Sequence, residues 1–196
     1  MTTKHVWPVS DDDKPILDEI AKQTDRGAAL IAVAYLEERL VSAIKARMNR
    51  HEEIEGRLFR GAGPLASLSS KIDLGFLIGI YDLRVHKMLH WAREIRNEFA
   101  HQPEPRDFNS QRIFGLCGNV NFHVEIEMQQ KETGLELAFQ FVPDGTAKTA
   151  FLNAIRYLML VLELELKQMP PRRPANPALP SLPGPLKPMP LPRPAK

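Results

Sequence analysis

The sequence contains little cysteine and no long apolar stretch. Cys117 is the only cysteine among 196 residues, so no disulfide can form within the chain. A single thiol is typical of a reducing compartment, and we expect a cytoplasmic protein. No unbroken apolar stretch approaches the roughly 20 residues that a membrane helix requires, and the N-terminus lacks the apolar core of a secretory signal. The sequence therefore predicts no membrane association.

Residue patterns of several enzyme classes are also missing. Gly61, Ala62 and Gly63 are followed by no phosphate-loop lysine and preceded by no strand pattern, which argues against a nucleotide site. The sequence has no Ser-His-Asp elbow, no Cys-His pairing signature and no Rossmann glycine set. We therefore predict that the chain binds no cofactor.

Positive charge is concentrated in residues 170–196. The whole chain carries 26 Lys and Arg against 24 Asp and Glu, a net charge of +2. The last 27 residues contain five of the basic residues and no acid, which leaves residues 1–169 with 21 basic and 24 acidic residues, a net charge of −3. A net negative charge on residues 1–169 does not predict a broad phosphate-binding surface. The sequence also shows no helix-turn-helix pattern, so direct DNA binding has little support.

Apolar residues recur at helical spacing through most of residues 1–169. The pattern predicts main helices that begin near Asp13, Arg26, Pro64, Asp82 and Asp144. Residues 51–63 are polar and contain glycine, and are predicted to be a connection. We therefore expect a mainly all-α protein, an up-and-down helical bundle formed by residues 1–169 as a single domain.

Two segments depart from the helical pattern. Residues 119–142 alternate apolar and polar side chains on both sides of a turn at Gly134, which predicts an inserted β-hairpin. Residues 170–196 contain eleven prolines, which predicts a disordered tail similar to polyproline II. A lone hairpin is marginally stable in water, so the hairpin is expected to pack on the helices or on a partner. The hairpin and the tail are therefore the predicted surfaces for a protein partner.

The predicted helix Asp82–His101 ends on a compact polar group. Its apolar residues recur at spacings of three and four and are Val85, Met88, Ala92, Ile95 and Phe99. Arg96 falls beside this stripe, whereas Asn97 and His101 fall on the opposite side. Pro103 disfavours helical angles at Gln102, so the helix is expected to stop at about His101.

Two further interpretations concern charged and metal-binding side chains. Glu37 lies by angle in the middle of the apolar face of its helix, and Arg96 is a possible partner for its carboxylate. His86 and His90 are four residues apart, with Glu94 one turn further, a spacing that suits a metal ion. Exposed histidine pairs are common and no other cluster supports the site, so the sequence predicts no bound metal.

The helical half of the chain resembles the mannitol operon repressor (MltR-like) family. The similarity spans about residues 26–101 and is carried by RGAA at 26–29, LEE at 36–38, GPL at 63–65, SxKI at 69–72, LIGI at 77–80 and IRNEFAH at 95–101. More widely, Arg96 and His101 with Asn97 between them resemble the R-x4-H motif of the HEPN superfamily. The hairpin and the proline-rich tail are not part of either pattern.

The resemblance implies a helical bundle that is frequently dimeric. For function it implies a regulatory protein, a transcriptional repressor or corepressor that acts through protein partners. The alternative that it implies is a metal-independent endoribonuclease of the toxin or antiphage type, with RNA as substrate.

The residues at the helix end are compatible with RNA cleavage. His101 could act as acid or base, Arg96 could hold two phosphate oxygens, and Asn97 could orient the histidine. Arg96 and His101 are separated by about 7.5 Å of helical rise and about 140° around the axis. The two converge only if the arginine reaches round the helix or a second subunit completes the site, so cleavage would imply a homodimer.

A structural role for the same residues stays open. His101 lies in the last turn, where an imidazole can bind free carbonyl groups and is favoured by the helix dipole. Arg96 could neutralise Glu37, and Asn97 could cap the helix or contact a loop.

Overall fold

A computed structural model describes residues 13–101, 106–120 and 146–168. The described part is helical throughout. Its helices are α1 (Lys14–Lys22), α2 (Asp25–Ala46), α3 (Glu52–Phe59), α4 (Leu68–Leu77), α5 (Leu83–His101), α6 (Gln111–Val120) and α7 (Ala147–Gln168). The prediction of a helical bundle is confirmed for these residues. None of these helices is both long and apolar enough to cross a membrane.

Helix α2 lies at the centre of the bundle and packs against α1, α4, α5 and α7. Small side chains on α2 allow its neighbours to approach closely, and Ala28, Ala29, Ala32 and Ala43 are all fully buried. The core is continuous through α2, α5, α6 and α7. Burial of this apolar surface is the main force that holds the helices together.

Polar side chains fix where several helices begin. Thr24 accepts a hydrogen bond from the backbone N–H of Gly27 at 3.2 Å at the start of α2. Ser67 accepts one from Ser70 at 3.0 Å before α4, and Asp82 accepts one from Val85 at 2.9 Å before α5. Each contact satisfies an N–H group that has no partner within its own helix.

A tight turn reverses the chain between α4 and α5. Gly79 has φ 70°, a left-handed conformation that glycine adopts without strain. The backbone N–H of Gly79 donates to Phe76 and that of Ile80 donates to Gly75, both at 3.0 Å. The turn therefore places α5 directly alongside α4, which brings residues from the two helices into contact.

Residues 51–63, predicted as a connection, contain helix α3. His51 caps the start of this helix through two hydrogen bonds. Its Nδ1 accepts from the N–H of Ile54 at 3.4 Å, and its own backbone N–H donates to Glu55 Oε1 at 3.3 Å. Glu55 also forms an ion pair with Lys45 of α2 at 3.2 Å. The helix was missed because α3 has no buried residue, so its sequence shows no apolar stripe.

The predicted β-hairpin is not supported where the structure describes its first residues. Asn119 and Val120, the expected start of the first strand, belong to the end of α6. The rest of the predicted hairpin and the proline-rich segment 170–196 lie outside the described residues. Helix α4 also begins later than expected, at Leu68 instead of Pro64, because Ser67 provides its cap.

Candidate functional site

The polar group at the end of α5 is positioned by two core residues. Ile95 and Phe99 are completely buried, as the predicted apolar stripe required. They fix the rotation of α5, so that Arg96 and Asn97 lie half-buried at its side. Arg96 Nη1 donates a hydrogen bond to Asn97 Oδ1 at 3.0 Å. The structure thus brings these two predicted site residues together.

His101, the third predicted residue of this group, lies apart from the other two. It is exposed in the last turn of α5 and forms no hydrogen bond or ion pair with the residues that the structure describes. One and a half helical turns separate it from Arg96, which places the two side chains in different directions. The described chain therefore does not by itself assemble an arginine–histidine pair.

Glu98 connects the end of α5 to the segment that follows. Its carboxylate accepts a hydrogen bond from Arg106 Nη1 at 3.2 Å and forms a second ion pair with Arg112 of α6. Beneath it, the rings of Phe99 and Phe108 pack edge to face with centroids 5.0 Å apart. The sequence does not reveal this role of Glu98, because Arg106 and Arg112 lie 8 and 14 residues further along the chain and only the fold brings them to the carboxylate.

Glu37 has a different partner from the one predicted. Its Oε1 forms an ion pair with Lys71 Nζ of α4 instead of with Arg96. Lys71 is 6% exposed and also donates to the backbone carbonyl of Ala66 at 3.1 Å. The physical reason is that α4 also packs against α2, so Lys71 places a long, flexible cation beside the carboxylate.

A second polar cluster joins α4 to α5. Asp73 Oδ1 lies 2.9 Å from His86 Nε2 and 3.1 Å from His90 Nε2, and the two Nε2 atoms are 3.2 Å apart. The His86 ring also packs near Phe76, with centroids 5.1 Å apart. The hydrogen bond from His86, and then the one from His90, lower the pKa of the Asp73 carboxyl.

The third member of this cluster is Asp73, whereas the sequence had suggested Glu94. Glu94 lies on the same helix as both histidines, one turn beyond His90, which is why the sequence pointed to it. The described residues whose ligand atoms converge are Asp73, His86 and His90. Only the turn at Gly79, which folds α4 back onto α5, brings Asp73 to the histidines.

The fold defined by these helices is that of a helical bundle with polar clusters on its surface and no cofactor-binding loop among the described residues. It is similar to that of MtlR in the X-ray structure of the MtlR–HPr complex from Escherichia coli. The TM-score is 0.53 at 18% sequence identity, over 76% of this chain and 97% of the matched chain. No protein-family model and no curated protein matches the sequence. The likeness establishes a shared fold.

Proposed function

We propose that this chain is a regulatory protein of the mannitol-repressor type, a transcriptional corepressor that acts by binding a protein partner. The observation that carries this proposal is the likeness to MtlR, which extends over 97% of the matched chain. That protein was solved in complex with HPr. The resemblance of residues 26–101 to the mannitol operon repressor family points in the same direction.

The contacts of the polar group at the end of α5 are consistent with a role in binding a protein partner instead of a role in catalysis. Arg96 donates to Asn97, and Glu98 is held by Arg106 and Arg112. These contacts engage Arg96 and Glu98 within the chain and do not include His101. We propose that they fix the corner between α5 and α6, which keeps the surface of the bundle rigid for a partner.

Calorimetric titration with HPr tests this function. The full-length chain is titrated with HPr from E. coli and with HPr from the organism that encodes the chain. We expect saturable binding of one HPr per chain to at least one of the two proteins. Absence of heat with both proteins at two well-separated temperatures would contradict HPr as the partner.

Deletion of the proline-rich tail tests whether the partner binds there or on residues 1–169, which include the predicted hairpin. A variant ending at residue 169 is compared with the full chain after circular dichroism has shown equal helix content. Binding that survives the deletion places the partner on residues 1–169, and binding that is lost places it on the proline-rich segment 170–196.

The second candidate function is metal-independent RNA cleavage by Arg96, Asn97 and His101. The exposure of His101, which forms no hydrogen bond with the described residues, favours it because a reacting imidazole must reach the substrate. Since Arg96 and His101 diverge on one helix, this function requires a homodimer that pairs two copies of α5. Light scattering of the purified chain tests the dimer, and loss of RNA cleavage on His101→Ala tests the chemistry.

A further inference from the structure

Three potential ligand atoms converge between α4 and α5. Asp73 Oδ1, His86 Nε2 and His90 Nε2 form a triangle with sides of 2.9, 3.1 and 3.2 Å. The two imidazole side chains are about four-fifths buried, at 20% and 22% exposed, whereas Asp73 is 55% exposed. The two histidines of α5 are thus largely covered by the protein, and the cluster is open to solvent on the side of Asp73.

Hydrogen bonds account for only two sides of this triangle when Asp73 is ionised. A carboxylate oxygen only accepts hydrogen bonds, and each Nε2 either donates one or accepts one. If both Nε2 atoms donate to Asp73, their N–H groups converge on one oxygen, and the two nitrogens, 3.2 Å apart, share no hydrogen bond. If one Nε2 is unprotonated, its lone pair faces the carboxylate oxygen. Each arrangement of protons therefore leaves one side of the triangle without an attractive contact.

A divalent cation would attract all three converging atoms at once. We propose that Asp73, His86 and His90 bind a divalent transition-metal ion, with Zn²⁺ as the species that fits best. Two imidazole nitrogens and one carboxylate oxygen favour ions of the Zn²⁺ type over Mg²⁺ or Ca²⁺, which prefer oxygen ligands. Three protein ligands leave one position for water, as in open zinc sites.

The distances fit such an ion after a small adjustment. Around a tetrahedral zinc ion with bonds of about 2.0–2.1 Å, ligand atoms lie about 3.3–3.4 Å apart. The three observed separations of 2.9–3.2 Å need to widen only slightly. Rotation of the exposed Asp73 side chain supplies the change on two sides of the triangle, and a small rotation of the imidazole rings supplies it on the third.

One feature of the cluster limits its affinity. His86 Nδ1 is buried and has no hydrogen-bond partner among the described residues. A metal-bound histidine is usually oriented by a hydrogen bond from its other ring nitrogen, and loss of that bond weakens binding by roughly 10–100-fold. We therefore expect a site of moderate affinity that fastens α4 to α5, weaker than a structural zinc site.

Zinc binding by the full-length chain tests the site directly. Metal-free protein is titrated with Zn²⁺ in competition with a coloured chelator. We expect one equivalent bound with moderate affinity, weakened more than about tenfold by Asp73→Asn and by His90→Gln. The matched control is Glu94→Gln, which removes the carboxylate that the sequence suggested and is expected to bind Zn²⁺ as the wild type does.

Two results would overturn the site. One is wild-type binding no tighter than that of His90→Gln, and the other is binding that Glu94→Gln removes while Asp73→Asn retains it. Each variant is compared by circular dichroism without metal, so that misfolding is recognised.

Two measurements on the wild-type chain test the same site without any substitution. Zn²⁺ at a hundredfold excess over its Kd should raise Tm by about 5–10 °C. The ring signals of two of the six histidines should shift in NMR spectra on addition of Zn²⁺, with the other four unchanged. An unchanged Tm, or shifts confined to other histidines, would contradict a site at Asp73, His86 and His90.

Discussion

Arg96 Nη1 and Asn97 Oδ1 are joined by a hydrogen bond of 3.0 Å, so two adjacent residues of the RNEFAH segment bind each other. With Ile95 and Phe99 in the core, most of the segment has a structural contact within the chain. His101 is exposed and has no hydrogen bond or ion pair with the residues that the structure describes.

Glu98→Gln should destabilise the chain. The substitution weakens two ion pairs, to Arg106 and Arg112, that tie α5 to the start of α6. Because Arg112 is largely exposed, solvent screens its pair, and we expect a loss of only about 1 kcal/mol in the free energy of unfolding. Urea denaturation measures the loss, with Glu94→Gln as control. Equal stabilities of the two variants would argue against a structural role for Glu98.

The pair of Glu37 and Lys71 should show strong coupling. Lys71→Met leaves the half-buried carboxylate of Glu37 without its cation, and we expect a loss of about 3 kcal/mol. Glu37→Gln on the Lys71→Met background should restore part of that loss, since the unpaired charge is then gone. A double-mutant cycle from urea denaturation measures the coupling, and additive effects would show that the pair contributes little.

Gly75→Ala should destabilise the bundle, whereas Gly115→Ala should not. A Cβ at Gly75 would overlap the hydroxyl of Tyr81, which donates to the carbonyl of Ile72 at 2.7 Å. We expect a cost of about 1–3 kcal/mol from this overlap. At Gly115 a Cβ meets no atom within 4 Å, so alanine should stabilise α6 by up to about 1 kcal/mol. Thermal unfolding compares the two, and a similar Tm for both would contradict the packing around Tyr81.

The Cys117 thiol should be unreactive in the folded chain. Burial raises the pKa of Cys117 from 9.0 to about 12, so almost no thiolate forms at pH 8. We expect slow reaction with a disulfide reagent in the native state and fast reaction in denaturant. Fast labelling of the native chain at pH 8 would contradict the burial of Cys117.

The same shift sets a pH dependence of stability. The folded state keeps the thiol proton to a higher pH than the unfolded state does, so this contribution is complete below pH 9 and is lost as the pH rises towards about 12.

Local patterns in the sequence predicted the helices that have an apolar stripe. The five stripe residues of α5 are all buried, because a spacing of three and four depends only on the geometry of one helix. Helix α3 has no such stripe and was missed. Its evidence in the sequence was the capping pair of His51 and Glu55, which is a weaker signal.

Contacts between helices were harder to predict. Arg96 was a plausible partner for Glu37, but the partner in the structure is Lys71, because the two cations lie on different neighbours of α2. Asp73 is 13 residues from His86, and nothing in the spacing shows that the turn at Gly79 brings them within 2.9 Å. Side-chain clusters that form between elements therefore required the fold.

We propose that this chain acts by binding a partner and does not cleave RNA. Purified full-length protein is incubated with varied single-stranded RNAs in EDTA, beside His101→Ala prepared in the same way. We expect no cleavage by either protein, and any contaminating nuclease would act equally in both. Cleavage by the wild type that His101→Ala abolishes, with helix content unchanged, would contradict the claim and establish the ribonuclease.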